Sequence, residues 1–314
     1  MLPLSRVLSA LLLGLGIALV AGGFLAPALI NADGRLPLDL RNTTWTISDE
    51  KENVSHQLHL QVQPPADEDT TAVRIGSTWF RGQGAPEELM TAQTWSYSLD
   101  RVTGEATTPA TLTHTIGMPA AQVHVDGHWL KIPVESTAPT LPIFDETLRA
   151  AVPAQRMEDE EIEGRPVNHY RQTIEPTNVA QRYAGLANTK VVPTPEGGTE
   201  QLYLFHSASK DLYFDQVTGL LVDARVNVDQ FYGRADGARV EEGLKFHGAM
   251  HDDQTAALIK ELSGVHGASA AQWWRWVVIG LGAFLSVIGL LGAFLGKGRS
   301  TTSRSAGGST RVRQ

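Results

Sequence analysis

Two segments, "SLDRVTGEA" at residues 98–106 and "YFDQVTGLL" at residues 213–221, share the five-residue core Asp-x-Val-Thr-Gly. An aspartate can cap its own backbone two residues later, and glycine adopts a positive φ without steric cost. Apolar residues alternate before the first core, as Trp95, Tyr97 and Leu99, which is the period of a half-buried strand. Both segments are therefore predicted to form the tips of β-hairpins.

Most of region 31–250 shows short alternating runs bounded by turn residues. Asp126-Gly127 and Gly164 predict two further hairpin turns. Three stretches predict helices instead: "PEELMTA" at 86–92, "DETLRAAV" at 145–152 and "DDQTAALIKEL" at 252–262. The predicted fold is mainly β, an exported domain built as an antiparallel curved sheet or sandwich and flanked by two transmembrane helices.

Uncharged runs at the two ends predict membrane anchors. Val7 to Ile30 and Trp276 to Leu295 carry no charge, and each is long enough to cross ~30 Å of hydrocarbon as a helix. The first run could instead be a cleavable signal peptide. A break near 135–145 leaves open a division of the exported domain into two lobes. The predicted organisation is an anchor at 1–30, a β-rich domain at 31–270, a transmembrane helix at 271–296 and a basic tail at 297–314.

Charge predicts the orientation and excludes one class of partner. Five lysines and arginines follow the second run, which places the tail, and with two spans also the N-terminus, in the cytoplasm. The main domain would then lie outside the plasma membrane. All 34 acids but only 19 of the 26 lysines and arginines lie within 31–272, so this region carries a net charge of −15. Such a surface repels phosphate backbones, which excludes nucleic acid as a partner.

Small residues spaced four apart predict helix-packing positions in both spans. The bland alternative is that glycine is simply common in membrane helices. The predicted packing residues are Gly14, Ala18, Gly22, Gly282, Ser286, Gly292 and Gly296.

The motif inventory predicts a protein that is not an enzyme and binds no cofactor or metal. There is no Gly-x-Ser-x-Gly elbow, no phosphate-binding glycine loop and no His-Glu-x-x-His, and the chain has no cysteine. His247 and His251 would share one face of a helix, but Gly248 weakens that helix. The paired acids Asp145 and Glu146 are interpreted as a helix cap rather than as an acid–base pair. An envelope hydrolase or transferase remains the alternative.

Aromatic residues on or beside the predicted strands have two interpretations. They could fill a core, or they could line an apolar groove for an acyl chain if the sheet curls. The groove candidates are Trp79, Phe80, Trp95, Tyr97, Trp129, Phe144, Tyr203 and Phe205.

Taken together, the two anchors, "SLDRVTGE", the block "LPIFDETLRAAVPAQRMEDEEIEGRPVNHYRQTI" at 141–174 and "LYFDQVTGLLVDA" resemble the actinobacterial PorA-family envelope proteins, which are double-anchored. The resemblance implies a place in the periplasm of bacteria with a mycolate-type envelope. It also implies a part in lipid trafficking and polar growth beside a large transporter of mycolate glycolipids. The family brings no catalytic residues to carry over.

The expected function is therefore non-enzymatic. A protein anchored in the plasma membrane would bind or hand on an envelope lipid or glycolipid and support a membrane transporter. Two alternatives stay open at this point, a structural adaptor that binds no lipid and a porin-like channel component.

Overall fold

The computed structural model separates the chain into two compact units, Asn31–Ala268 in one and Met1–Ile30 with Ser269–Gln314 in the other. Each unit is described by itself. The described residues are 4–29, 34–38, 40, 43–82, 84–114, 119–134, 136–262 and 268–295.

The larger unit contains one large antiparallel sheet. Its strands in the described part of the chain are β1 Thr43–Asp49, β2 Val54–Ala66, β3 Thr70–Arg81, β4 Leu89–Asp100, β5 Ala110–Thr113, β6 Ala121–Val123, β7 Thr140–Asp145, β8 Ala150–Arg156, β9 Glu160–Ile162, β10 Arg165–Asn178, β11 Thr189–Pro193, β12 Thr199–Asp215, β13 Leu221–Gly233 and β14 Arg239–Met250. They run in the order β6-β5-β4-β3-β2-β1-β14-β13-β12-β10-β8-β7, with β11 beside β12 and β9 beside β10, and the two ends of the sheet do not pair. Helix α2 (Asp252–Leu262) follows the last strand. The predicted mainly-β antiparallel fold is confirmed.

The sheet is strongly curved. Strand β7 stands seven strand positions from β2, which in a flat sheet would be about 34 Å at ~4.8 Å per strand. Glu146, directly after β7, nevertheless lies 3.1 Å from His56 on β2. The sheet must therefore curl until its β7 end comes back over β2.

The two Asp-x-Val-Thr-Gly segments are turns, as predicted. The backbone amides of Val102 and Thr103 donate to Asp100 Oδ1 at 2.8 and 2.7 Å. In the second turn the amide and hydroxyl of Thr218 both donate to Asp215 Oδ2, at 2.7 and 2.6 Å. The closing glycines have positive φ, +77° at Gly104 and +71° at Gly219. The second turn joins β12 to β13, and the first leads from β4 towards β5.

Both turns press on the same segment, residues 128–132. A Cβ on Gly104 would lie 2.5 Å from the carbonyl oxygen of Lys131, and a Cβ on Gly219 would collide with the carbonyl oxygen of Ile132. The buried Lys131 Nζ donates to the carbonyl oxygens of Thr218, at 2.5 Å, and Gly34, at 3.1 Å. The repeated motif therefore holds one segment between two turns.

That segment corrects one hairpin prediction. Asp126-Gly127 does turn, with Gly127 at a φ of +70°, but residues 128–132 do not pair back onto β6. His128 bridges Ile143 instead, and Lys131 bridges Leu220. The turn at Gly164 is confirmed as the hairpin between β9 and β10.

Two of the three helix predictions were wrong. Residues 145–152 cover the end of β7, a tight turn at 146–149 and the start of β8, and Arg149 in the turn has a φ of +49°. Residues 86–92 form one 3₁₀ turn at Pro86–Glu88, followed by β4. At 145–152 the sheet buries Leu148, and the pairing of β7 with β8 outweighs the weak local helix propensity. At 89–92 the backbone pairs with β3, while Leu89 and Met90 stay exposed. The third prediction is confirmed as α2.

The smaller unit contains two long apolar helices, α1 (Leu4–Leu29) and α3 (Ala268–Leu295). Their segments Val7–Leu25 and Trp273–Gly292 are long and apolar enough to cross a membrane. Two such helices at the two termini suggest membrane anchoring.

The helices pack antiparallel through small residues seven apart. A Cβ on Gly16 would collide with Ser286, one on Gly23 would lie 2.6 Å from Ile279 and one on Gly289 would lie 2.8 Å from the Ser9 carbonyl oxygen. Seven-residue spacing keeps one face of each helix on its partner. Glycine lets the two backbones approach closely.

The packing residues predicted in α1 are not the ones in contact. Gly14, Ala18 and Gly22 are exposed, and a Cβ on either glycine would meet nothing within 4 Å. Spacing four drifts around the helix away from the face that Gly16 and Gly23 share. In α3, Gly282, Ser286 and Gly292 lie against α1, and Gly296 lies outside the described residues.

The close contact between the second turn and residues 128–132 predicts a difference in stability between two glycine variants. We refer to the contacts of the two turns with this segment as the clamp. Gly164→Ala places alanine at a φ of +74° in open space, so it should cost only the backbone strain of about 1–2 kcal/mol. Gly219→Ala carries the same strain and also collides with Ile132, so it should cost about 1–3 kcal/mol more. Urea unfolding followed by tryptophan fluorescence would measure both, and equal losses would contradict the clamp.

The packing of α1 against α3 predicts that a specific engineered disulfide can form. A Cβ on Gly292 would lie 3.5 Å from Ser9 Cβ, within the range found in disulfides, about 3.5–4.5 Å. Since the chain has no cysteine, Ser9→Cys with Gly292→Cys should form one intrachain bond on mild oxidation, detected by mass spectrometry. The matched pair Gly14→Cys with Gly292→Cys should not close. Equal closure of the two pairs would show that the helices do not pack on this face.

Candidate ligand-binding site

A cavity lies inside the curve of the sheet. Its volume is about 60 Å³, room for only a few water-sized groups. Its lining has an apolar part and a polar part, the apolar wall and the polar wall. The apolar lining includes Ile47, Leu58, Trp79, Trp129, Leu130, Ile143, Phe144, Leu212, Leu221, Val226 and Val228.

Three of the eight predicted groove aromatics line this cavity: Trp79, Trp129 and Phe144. Trp95 lies behind them, fully buried, with its ring edge-on to Trp129 and Phe144 at centroid distances of 5.5 Å. Trp95 therefore supports the wall without lining the cavity. Tyr97, buried two residues further along the same strand, is also absent from the lining.

The other three candidates, Phe80, Tyr203 and Phe205, lie on the side of their strands that faces away from the cavity. His206, Lys210 and Leu212 of β12 line it, so Tyr203 and Phe205, at odd positions of the same strand, face the other way. Phe205 stacks instead on Phe231, with a centroid distance of 5.1 Å. Phe80 likewise sits one residue out of phase with Trp79. These five residues, Phe80, Trp95, Tyr97, Tyr203 and Phe205, do not line this cavity.

The polar wall contains a buried ion pair. Lys210 Nζ lies 2.6 Å from Asp145 Oδ2, and Asp145 is 1% exposed. Burial alone would raise the pKa of Asp145, but the charges of Lys210 and His206 and their hydrogen bonds outweigh it and hold this pKa well below its usual range. Asp145 Oδ1 also accepts the Leu148 amide at 2.7 Å. One carboxylate therefore fixes the β7–β8 turn and ties it to β12.

Glu146 crosses to the other part of the sheet. Its Oε1 lies 3.1 Å from His56 Nε2, and the His56 ring stacks on Trp79 at 4.1 Å. Burial would raise the pKa of Glu146, yet the charge of His56 and hydrogen bonds from His56 and Ser77 lower it. Two neighbouring carboxylates thus connect distant regions of the curled sheet. Asp145 contacts β12, and Glu146 contacts β2 and β3.

Ser77, His56 and Glu146 lack the geometry of a catalytic triad. Ser77 Oγ lies 3.0 Å from His56 Nε2, and Glu146 Oε1 lies beside the same nitrogen. In a Ser-His-acid triad the acid binds one imidazole nitrogen, and the serine gives its proton to the other. Here both partners compete for Nε2.

The two histidines considered for metal binding do not share a helix face. His247 lies on β14, where its Nδ1 contacts Asn227 Oδ1 at 2.9 Å, and His251 lies beyond the strand end. In the described part of the chain no three His, Cys, Asp or Glu side chains come together as a metal site.

Sequence reasoning missed His56, His206 and Lys210. Asp145 and Glu146 were noticed, but as a helix cap. A signal was present in "FHSASKDL" at 205–212. His206 and Lys210 are an even number of residues from Leu212, so they lie on the same face of the strand and place polar groups among its core-facing residues. Their partners come from distant strands, so the sequence pattern could not pair them.

The Asp145–Lys210 pair predicts a large, pH-dependent cost for Lys210→Met. A buried carboxylate left without its partner costs about 3–5 kcal/mol at pH 7. The lowered pKa of Asp145 stabilises the wild type at pH values above the unfolded pKa, and this contribution is lost as the pH falls through the folded value. In the variant, burial favours the protonated form of Asp145. The difference in the free energy of unfolding between wild type and variant should therefore narrow towards pH 4.5.

Urea unfolding at pH 7 and pH 4.5 measures this effect. The control is Lys190→Met, because Lys190 and its partner Glu241 are each more than 40% exposed and should lose no more than about 1 kcal/mol. A loss at Lys210 as small as that at Lys190, or one independent of pH, would contradict the assignment.

Comparison with curated proteins finds no match for this chain. A family model described as porin PorA matches residues 8–291, which covers the whole sheet and most of both apolar helices. The match extends through the strands that build the cavity and through the 141–174 block on which the resemblance depended. The chain belongs to the porin PorA family.

Proposed function

We propose that this protein is a non-enzymatic, membrane-anchored binding protein of the bacterial envelope. Its curled sheet would bind an acylated envelope lipid or glycolipid and pass it on beside a membrane transporter. The observation that carries the proposal is the cavity inside the curve of the sheet, whose lining has an apolar wall and a polar wall. A ligand with an apolar chain and a polar end matches these two walls.

The size of the cavity limits how such a ligand would sit. About 60 Å³ accepts only one end of a lipid, so the rest of the chain would lie outside or the sheet would open further. Opening is possible in principle because the ends of the sheet do not pair. Within the described residues, the charged groups of the cavity contact one another, which supports binding rather than catalysis.

Placement is part of the same proposal. The two apolar helices would hold the protein in the plasma membrane, and the basic tail supports cytoplasmic termini with the sheet outside. The porin-like alternative is not favoured, because the sheet is not closed and the chain has two apolar helices. A structural adaptor remains the alternative that the binding experiment distinguishes.

The test is lipid co-purification with the full chain from a mycolate-producing host. Val228 lines the cavity, so Val228→Phe should fill it and reduce the bound lipid roughly tenfold, a loss of about 1.4 kcal/mol in binding free energy. Lipid per mole of protein would be measured by mass spectrometry after detergent extraction.

Val240→Phe is the matched control, since Val240 is 43% exposed on β14. It should retain the wild-type amount of lipid. If wild type and both variants carry equal lipid, or none, the sheet is not the lipid site, and the adaptor function is favoured instead.

A further inference from the structure

An arginine without an acidic partner lies in the turn between β7 and β8. The Arg149 guanidinium stacks on the Tyr183 ring, 3.7 Å from the ring centroid, and its Nη2 lies 3.1 Å from His114 Nε2. All three side chains are partly buried. Within the described part of the chain, the electrostatic neighbour of this guanidinium is the Tyr183 phenol and not a carboxylate. Arg149 therefore keeps an uncompensated positive charge.

Two other partly buried cations of the larger unit show the contrast. Arg165 lies 2.5 Å from Asp215, and Lys210 lies 2.6 Å from Asp145. A buried charge costs free energy unless an opposite charge and hydrogen bonds replace its water. Burial accordingly lowers the pKa of the Arg149 guanidinium. A ligand that supplies a negative charge would remove this cost.

His114 orients the guanidinium without adding charge to it. A guanidinium can only donate hydrogen bonds, so His114 Nε2 must accept, and the imidazole is neutral. Burial and the charge of Arg149 lower the pKa of His114, which keeps the ring in this form. The ring of Tyr183 and the nitrogen of His114 together hold the guanidinium in one orientation before a ligand arrives. This orientation lowers the ordering cost of binding, and the guanidinium has further N–H groups to donate.

The backbone at Arg149 also favours a role for its side chain. Its φ of +49° is uncommon for a residue with a Cβ. Glycine adopts this conformation at no steric cost, so the arginine is present despite local strain. Strain of this kind is found preferentially at functional sites.

We propose that Arg149, Tyr183 and His114 form a binding site for a phosphate monoester group, carried by a lipid head group or by a free small molecule. The planar guanidinium can donate to two phosphate oxygens at once. A carboxylate fits the same donors, but a phosphate monoester carries a charge of about −1.5 to −2 and is attracted more strongly to an uncompensated cation. None of the three residues lines the cavity, so this site is additional to the proposed lipid site and does not depend on it.

Protection from an arginine reagent tests the proposal with the full chain in detergent. Phenylglyoxal modifies guanidinium groups, and peptide mass spectrometry gives the rate at each arginine. The probes are inorganic phosphate, dihexanoyl phosphatidic acid and dihexanoylglycerol, which lacks the phosphate, and chloride keeps the ionic strength constant. Arg74, an exposed arginine on β3, is the control within the same molecules.

Both phosphate-bearing probes should slow the modification of Arg149, and dihexanoylglycerol should not. With a dissociation constant of about 1 mM, about 5 mM phosphate would slow it about sixfold. The rate at Arg74 should stay unchanged, because region 31–272 has a negative net charge and does not attract phosphate in general. The probe that protects at the lower concentration identifies the source of the group, a lipid head group or free phosphate.

Thermal unfolding provides a second measurement. Phosphate should raise the Tm of the wild type relative to chloride at equal ionic strength, and Arg149→Gln should abolish this rise because the charge is lost. Arg74→Gln is the matched control and should retain it. Arg149→Gln removes a charge that has no acidic partner and leaves a β-carbon at the same backbone position, so the variant should fold.

Three results would overturn the proposal. One is that neither phosphate-bearing probe protects Arg149, and another is that Arg74 or the dihexanoylglycerol sample shows equal protection. The third is a folded Arg149→Gln variant that keeps the rise in Tm, which would make Arg149 a structural contact of the turn. The protection experiment uses the wild type, so it decides even if the variant does not fold. Each of these results leaves lipid binding in the cavity standing, because that proposal has its own test.

Discussion

A buried lysine ammonium group joins residues 128–132 to the second Asp-x-Val-Thr-Gly turn and to the chain at Gly34. Lys131 is 3% exposed, and its Nζ donates to the backbone carbonyl oxygens of Thr218 and Gly34. A buried charge is tolerated only when hydrogen bonds replace its water, so these carbonyl oxygens must stay in place. Glycines 104 and 219 press on the backbone of the same segment from the two turns. The repeated motif thus fixes residues 128–132, which carry Trp129 and Leu130 into the wall of the cavity.

A second constraint acts on the polar wall of the cavity. Asp145 and Glu146 leave the β7–β8 turn in different directions, towards β12 and towards β2. A buried ion pair adds little net stability compared with apolar packing, but losing one partner is costly. The two contacts therefore specify how far the sheet curls rather than how stable it is. A defined curl leaves a defined cavity, which is the property that a selective binding protein needs.

Much of the fold could be predicted from local signals, and little of the site could. The Asp-x-Val-Thr-Gly turns and α2 depend on residues close together in sequence, so their chemistry is visible there. "DETLRAAV" shows how local signals fail, because its good helix formers lie in a hairpin whose apolar residues are buried by distant strands. His56 and His206 are 150 positions apart, and only the curl brings both to one cavity. Strand parity decides whether Phe80, Tyr203 and Phe205 face the cavity, and parity can be used only after the strands have been assigned correctly.

The most direct test of the central claim is an experimental structure of the full chain purified with its native lipids. The account predicts ligand density inside the curve of the sheet, with a chain against Trp79 and Phe144 and a polar end beside Glu146 and His206. An empty cavity in the sheet, with lipid density confined to the surfaces of the two apolar helices, would contradict it.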